Sequence, residues 1–284
     1  MLKQYYELAK PGIIYGNVFT ALASFLYASR WHFGMEHLLA TLMGLGLVIA
    51  GSAVINNYTD RTIDQKMSRT RDRALVKGFI SVQSALIYSV LLGAIGFALL
   101  YFYVNALTTL VALVGVVFYT VLYAIAKRWS YWGAVIGSVS GAVSIVVGYT
   151  AVTDKLDGIA ALLFLILVLW QLPHFYAIAI RRLDEYKAAG IPVLPAQKGM
   201  QVTKIHIVLY IVAFIVAVVA FALGGYAGYT YIVIVLAVSL RWLWLGIKGF
   251  KTSDDVAWAR SVFLFSLFVL MTFSVMLALT PLLP

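Results

Sequence analysis

Seven long runs of this sequence carry no formal charge: residues 12–29, 38–59, 78–126, 129–153, 158–180, 206–240 and 261–284. A bilayer core supplies no water to bond backbone N–H and C=O groups. An apolar run of this length therefore has to satisfy them within its own segment, as a helix of about 20 residues. Two runs are too long for one helix. The run 78–126 breaks near Asn105, and 206–240 breaks at Gly224-Gly225-Tyr226-Ala227-Gly228. The expected spans are roughly 12–29, 38–57, 80–103, 107–126, 132–151, 159–180, 205–223, 229–247 and 261–280. The fold class is all-α, a polytopic membrane protein with nine transmembrane helices. Composition agrees: 63% of residues are hydrophobic and 11% charged, against roughly 45–50% and about 25% in soluble domains. A water-soluble globule is excluded. There is no Cys, which excludes disulfides, thiolate metal sites and a Cys nucleophile and leaves the redox compartment open.

Nine spans put the termini on opposite sides, and the basic residues choose the sides. With the N-terminus cytoplasmic and the C-terminus outside, every one of the 21 Lys and Arg lies at the inner face except Arg30 and Lys155. That is the positive-inside pattern. The net charge of +10 thus reads as orientation, and no nucleic-acid partner is expected. No linker or soluble appendage is visible, so residues 1–284 are expected to form a single intramembrane domain. The first span lacks a small-residue cleavage site and reads as a membrane helix rather than a signal peptide. With no transit peptide in view, a bacterial cytoplasmic (inner) membrane is expected. Gly133, Gly137 and Gly141 recur at four-residue spacing, a stripe that permits close helix packing.

The acids gather in two inner loops, about 57–79 and 181–204. If the second span continues as a helix, Asn56, Asp60 and Asp64 form one polar stripe, with Asn57 beside it. Oxygen ligands so placed suit Mg²⁺, which takes one or two carboxylates and completes its shell with phosphate oxygens and water. Arg69, Arg71, Arg73 and Lys77 follow at once. Acids for a metal beside a basic cluster is an arrangement a diphosphate requires. The competing reading is a solvated loop whose acids and bases pair with each other.

The sixth span ends in Trp170-Gln171-Leu172-Pro173-His174-Phe175 and runs on to Arg181, Arg182, Asp184 and Glu185. On a helix, His174, Arg181 and Glu185 fall within about 20° of one line. A histidine inside an apolar span is costly and marks a functional site. Its alternative is an interhelical hydrogen bond. His32, His37 and His206 read as unremarkable surface positions.

Asn56-Asn57-Tyr58-Thr59-Asp60-Arg61-Thr62-Ile63-Asp64, followed by Arg69-Thr70-Arg71-Asp72-Arg73-Ala74-Leu75, resembles the N-x-x-x-D-x-x-x-D and R-T-x-x-R-P-L signature of UbiA-type intramembrane prenyltransferases. The stretch from Trp170 through Pro173-His174-Phe175 to Asp184-Glu185-Tyr186 and Pro195 resembles the haem-farnesylating branch, and lacks the second D-x-x-x-D of the quinone branch. Lys10-Pro11-Gly12 and Trp258-Ala259-Arg260 extend the similarity over essentially the whole chain. Two positions depart from the pattern: Ala74 stands where Pro is usual, and Glu185 where Asp is common.

The resemblance implies nine helices around a central cavity, capped on the cytoplasmic side by both acidic loops. It implies that farnesyl diphosphate and haem B are the substrates and that Mg²⁺ assists. The farnesyl carbon attaches to a haem vinyl group and water adds, giving haem O. Asn56, Asn57, Asp60, Asp64, Asp184 and Glu185 would hold the metal. Arg71, Arg73, Lys77 and Lys127, with Arg181, Arg182 and Lys187, would bind the diphosphate. His174 would ligate haem iron or orient the vinyl group, and Asp60, Asp64, His174 and Glu185 would carry the chemistry. A haem A synthase or oxidase assembly protein would collect the product. A quinone-ring prenyltransferase is disfavoured by the missing second acidic motif. A transporter or haem exporter is disfavoured because the carboxylates lie at span ends rather than at the midplane.

Overall fold

The computed structural model describes residues 2–284, and the described residues contain helices and no strands. Thirteen α-helices occur in chain order: α1 (Leu2–Leu8), α2 (Pro11–Ser29), α3 (Met35–Asp64), α4 (Val82–Tyr103), α5 (Ala106–Val117), α6 (Tyr123–Trp129), α7 (Gly133–Thr153), α8 (Gly158–Arg181), α9 (Leu183–Ala188), α10 (Leu194–Lys198), α11 (Met200–Leu223), α12 (Tyr229–Lys248) and α13 (Asp255–Leu279). A π-helical turn, Phe118–Leu122, joins α5 to α6 without a break. Among the described residues nine helices are long and apolar enough to cross a membrane, so the chain is a multi-pass membrane protein.

The helix ends follow local capping chemistry. Asn105 ends the overlong run at the expected place, its side chain accepting from Thr108 N at 2.7 Å to start α5. Asp157 accepts from Ile159 N and Ala160 N at the head of α8. Asp254 does the same with Val256 N and Ala257 N. That cap explains why α13 begins at Asp255, six residues before the charge pattern suggests: charged Asp255 and Arg260 belong to the helix, not to its loop. The second span is also longer than the apolar pattern, and α3 runs unbroken through Asn56, Asp60 and Asp64 to residue 64.

Helix contacts trace two linked rings. One runs α2, α3, α4, α5, α7; the other runs α7, α8, α11, α12, α13 and returns to α2. The second ring is filled by Phe214, Phe221, Tyr231, Trp242 and Phe273, all nearly inaccessible. The outward faces carry exposed apolar side chains such as Phe102, Leu209 and Leu223, as expected where the solvent is lipid. α3 and α4 approach closely through glycines, and Ser89 Oγ donates to Gly51 O at 2.9 Å. A Cβ on Gly51 would lie 2.8 Å from Ser89 O, a backbone atom that cannot swing away. Gly51→Leu is therefore expected to cost about 1–3 kcal/mol of overpacking strain, read as a lower unfolding temperature in detergent. The stripe on α7 serves α6 and α8: a Cβ on Gly137 would meet the Tyr123 ring at 3.0 Å, and one on Gly141 would strike the Gln171 amide.

Candidate active site

A cavity of about 980 Å³, at the upper end of what small-molecule sites occupy, is lined by α2, α3, α5 to α8 and α13. Its deep wall is apolar, with Leu45, Val48, Val116, Val143, Leu167, Leu267 and Leu270. Its mouth lies at the end of the bundle where α3 stops and is charged. The segment after α3 and the α9–α10 segment both reach it, through Met67 and Arg69 and through Pro192 and Leu194.

Asn56, Asp60 and Asp64 occupy successive turns of α3, and all three line the cavity. Each is met by a cation from a different element. Lys10, between α1 and α2, donates to Asn56 Oδ1 at 2.5 Å. Lys127, on α6, pairs with Asp60. Arg73, from the segment after α3, pairs with Asp64 Oδ2 at 2.5 Å. Tyr119, in the π-helical turn, also donates to Asn56 Oδ1, at 3.3 Å. It stacks on Tyr123 with ring centroids 5.9 Å apart. Both lone pairs of the Asn56 oxygen are thereby engaged. Asn56 Nδ2 is buried and has no partner among the described residues, which leaves a hydrogen-bond donor in a wall otherwise built of cations and carboxylates.

Lys10 adopts a left-handed backbone, φ 55°, so that the chain turns sharply between α1 and Pro11. Burial, and then the nearby Arg73 guanidinium, pull its ammonium down to about 7, against the upward pull of Asp60 and Asp64. The mouth thus holds Arg69, Arg73, Lys127, Arg181 and Arg182 around two carboxylates, an excess of cations that a multiply charged anion would balance, and Lys10 would take up its proton fully beside such an anion. Burial also pushes the Tyr186 phenol up, so it stands at the mouth as a neutral donor.

The sequence candidates divide. Asn56, Asp60, Asp64, Arg73, Lys127, His174, Arg181 and Arg182 line the cavity; Asn57, Arg71, Lys77, Asp184, Glu185 and Lys187 do not. Asn57 faces away, its Nδ2 donating to Leu8 O at 2.7 Å and tying α1 to α3. Arg71 and Lys77 are exposed and pair with Asp72. The chain turns out of α8 at Arg182, so Glu185 does not continue the helical line of His174 and Arg181. Asp184 and Lys187 are exposed, and Glu185 accepts from Arg182 Nη1 at 2.7 Å. The second acidic loop therefore contributes Arg181, Arg182 and Tyr186 and the apolar run Ile191 to Leu194 to the lining, and no carboxylate. Arg69, a member of the basic cluster, lines the cavity as well, and Lys10, Tyr119, Tyr123 and Tyr186 line it without having been expected as ligands. For Lys10 the available signal was a lysine directly before the first span. For Tyr186 it was its place in the Asp184-Glu185-Tyr186 stretch; for Tyr119 and Tyr123 there was none, since nothing separates a lining tyrosine from a packed one before the helices are placed.

His174 lies further in, on α8. Its imidazole is stacked on Trp170 with centroids 5.0 Å apart, tilted against Phe263 at 4.7 Å, and bonded through Nδ1 to Ser266 Oγ at 2.7 Å. The site as a whole has a polar, cation-rich mouth over a wide apolar chamber with one imidazole on its wall. That suits an anionic head group on a long apolar tail together with a second, flat apolar molecule.

Comparison with known proteins agrees with this geometry. The chain matches the UbiA prenyltransferase family over residues 17–269. It is 49% identical to the protoheme IX farnesyltransferase of Klebsiella pneumoniae, over 100% of this chain and 97% of that protein. Its fold superposes on a digeranylgeranylglyceryl phosphate synthase structure with TM-score 0.82 at 20% identity, covering 99% of this chain and 98% of that one. It superposes on a UbiA homologue from Archaeoglobus fulgidus, bound to DMAPP and Mg²⁺, with TM-score 0.73 at 17% identity, covering 96% and 99%. The chain therefore belongs to the UbiA prenyltransferase family and, at that identity over its whole length, groups with the protoheme IX farnesyltransferases.

Proposed function

We propose that this protein transfers the farnesyl group of farnesyl diphosphate to a vinyl group of haem B, with addition of water, releasing diphosphate and haem O. The observation that carries the reading is the cavity itself: a cation-rich mouth continuous with an apolar chamber that bears His174. The whole chain works as one intramembrane domain, with the mouth facing the cytoplasm of a bacterial inner membrane. This orientation rests on the distribution of Lys and Arg. Haem A synthase or an oxidase assembly protein is the expected recipient of the product.

The diphosphate enters head first. Arg73, Lys127, Lys10 and Arg69 surround its oxygens, Asn56 Nδ2 donates to one of them, and Arg181 and Arg182 close the far side. Asp60 and Asp64 are hard oxygen donors one helical turn apart, and they fit Mg²⁺, which needs only one or two carboxylates when phosphate oxygens complete its shell. No group of three or more His, Asp or Glu suited to a metal occurs among the described residues, so a metal held by protein ligands alone does not fit. When bound, the ion supplies further neutralisation of the leaving diphosphate. Asn56, with its oxygen already engaged by Lys10 and Tyr119, contributes as a donor to the anion.

The farnesyl C1–O bond breaks as these charges take up the negative charge of the leaving group, which is stabilisation of charge developing in the transition state. The apolar wall keeps water from the allylic cation. The vinyl carbon attacks it, and the cation that results next to the porphyrin takes up water and loses a proton. Glu185, bonded to Arg182, positions that guanidinium rather than touching substrate.

Purified protein with farnesyl diphosphate, haem B and Mg²⁺ tests the reading, with diphosphate release followed and the pigment identified by mass. Release that depends on haem B and yields the farnesylated, hydrated porphyrin supports it. No release points to a transporter, and release that requires an aromatic acid points to a quinone enzyme. Within this reading the two arginines of the first loop differ. Arg73→Ala is expected to raise the KM for the prenyl donor about 10- to 100-fold, the loss of a charge-assisted hydrogen bond. Arg71→Ala, which removes only an exposed ion pair, is expected to change it less than about fivefold. Steady-state kinetics with each substrate varied in turn checks both, and haem KM should be unchanged in each.

A further inference from the structure

His174 and Ser266 sit 92 positions apart in the chain, on α8 and α13, with Nδ1 and Oγ 2.7 Å from each other. Ser266 is fully buried, and its hydroxyl also lies 2.6 Å from the carbonyl oxygen of Phe263. Two oxygens that close need a proton between them, and the carbonyl has none to give. The single hydroxyl proton of Ser266 is therefore committed to Phe263 O. Towards His174 the serine offers only lone pairs, so the proton of the 2.7 Å bond belongs to Nδ1. A neutral imidazole carries one N–H, which leaves Nε2 bare. An imidazolium here would be a charge enclosed by Trp170, Phe175 and Phe263. Among the described residues no carboxylate is bonded to it, and Arg181 lies over the same Phe263 ring.

The ring is fixed in direction as well as in tautomer. Trp170 stacks on it, and Trp170 Nε1 donates to the backbone oxygen of Ser266 at 2.7 Å. One residue of α13 thus holds both His174 and the aromatic plate beside it. Nε2 has no hydrogen-bond partner among the described residues and is not among their sealed, unpartnered polar atoms, while His174 lines the cavity.

We infer that Ser266 is a positioning residue: it holds His174 as the Nδ1–H tautomer and presents the bare Nε2 to the cavity as a ligand for the iron of the porphyrin substrate. The iron-ligand role rests on the function proposed above; the tautomer does not. Partners that orient a metal-bound histidine through its other nitrogen are worth about 10- to 100-fold in metal affinity.

The test uses the full-length purified protein, labelled with ¹⁵N-histidine, as wild type, Ser266→Ala and Ser266→Thr. The His174 nitrogens are assigned by their loss in His174→Gln, and haem B is titrated by its Soret band. The expected result is Nδ1–H with bare Nε2 in the wild type, loss of that single tautomer in Ser266→Ala, and haem affinity about 10-fold weaker in that variant. Farnesyl diphosphate binding should be unchanged in a variant that still unfolds cooperatively, and Ser266→Thr should keep the tautomer. A proton on Nε2 in the wild type overturns the inference, as does a tautomer that survives unchanged in Ser266→Ala. A tautomer that shifts without any change in haem affinity overturns the iron-ligand role and leaves the tautomer assignment standing.

Discussion

Replacing Asp64 by Asn is expected to cut turnover by about 100-fold or more, the scale on which a preorganised electrostatic group acts, and Asp60→Asn should do the same. Both carboxylates line the cavity, and each is held by a cation that lines it too: Arg73 for Asp64 and Lys127 for Asp60. The amide keeps the volume and one oxygen but loses the charge, so it disturbs metal capture and the placing of the neighbouring cation at once. The helix α3 that makes the stripe should persist, but both carboxylates are largely buried against Arg73 and Lys127, so loss of either charge should also lower the unfolding temperature. The measurement is turnover against Mg²⁺ concentration, with the unfolding temperature read alongside. Near-normal activity of Asp64→Asn at limiting Mg²⁺ would remove the metal-site reading.

His174→Gln should leave the protein folded and able to bind farnesyl diphosphate, yet abolish most haem binding and haem O formation. Glutamine retains a hydrogen-bonding partner for Ser266, so a purely structural role would tolerate it. An amide oxygen is a poor substitute for an imidazole nitrogen on iron. The loss in haem affinity should be at least 10-fold, above the lower bound for merely disturbing an orienting partner. A Soret titration of wild type against variant reads it, with prenyl-donor binding as the control. An unchanged Soret band and affinity would assign His174 to packing.

Much of this molecule was legible before any helix was placed. The nine spans followed from runs without charge, because a bilayer permits few ways to satisfy a backbone. The breaks at Asn105 and Gly224–Gly225 followed from turn chemistry, and α3's polar stripe from four-residue spacing alone. The charge pattern erred only where charged residues enter a helix, as at Asp255 and Arg260, since it treats any charge as a loop. Asn57 shows the corresponding limit within a motif. It stands next to a lining residue in sequence, yet one helical step of 100° turns it towards Leu8.

The amino-acid sequence alone therefore determined the class of the fold, through its charge-free runs, and the helical stripe of Asn56, Asp60 and Asp64, through four-residue spacing; the family showed as a resemblance of whole motifs. What only the tertiary structure decided was which residues from other helices complete that stripe. Lys10, Lys127 and Arg73 reach it from three separate elements, Tyr119 reaches it by way of a π-helical turn, and Ser266 meets His174 across the bundle. Glu185, equally plausible by spacing, is carried out of the lining by the turn at Arg182. The reason is geometric. Periodicity reports which face of its own helix a residue occupies, and it contains no information about what that face meets.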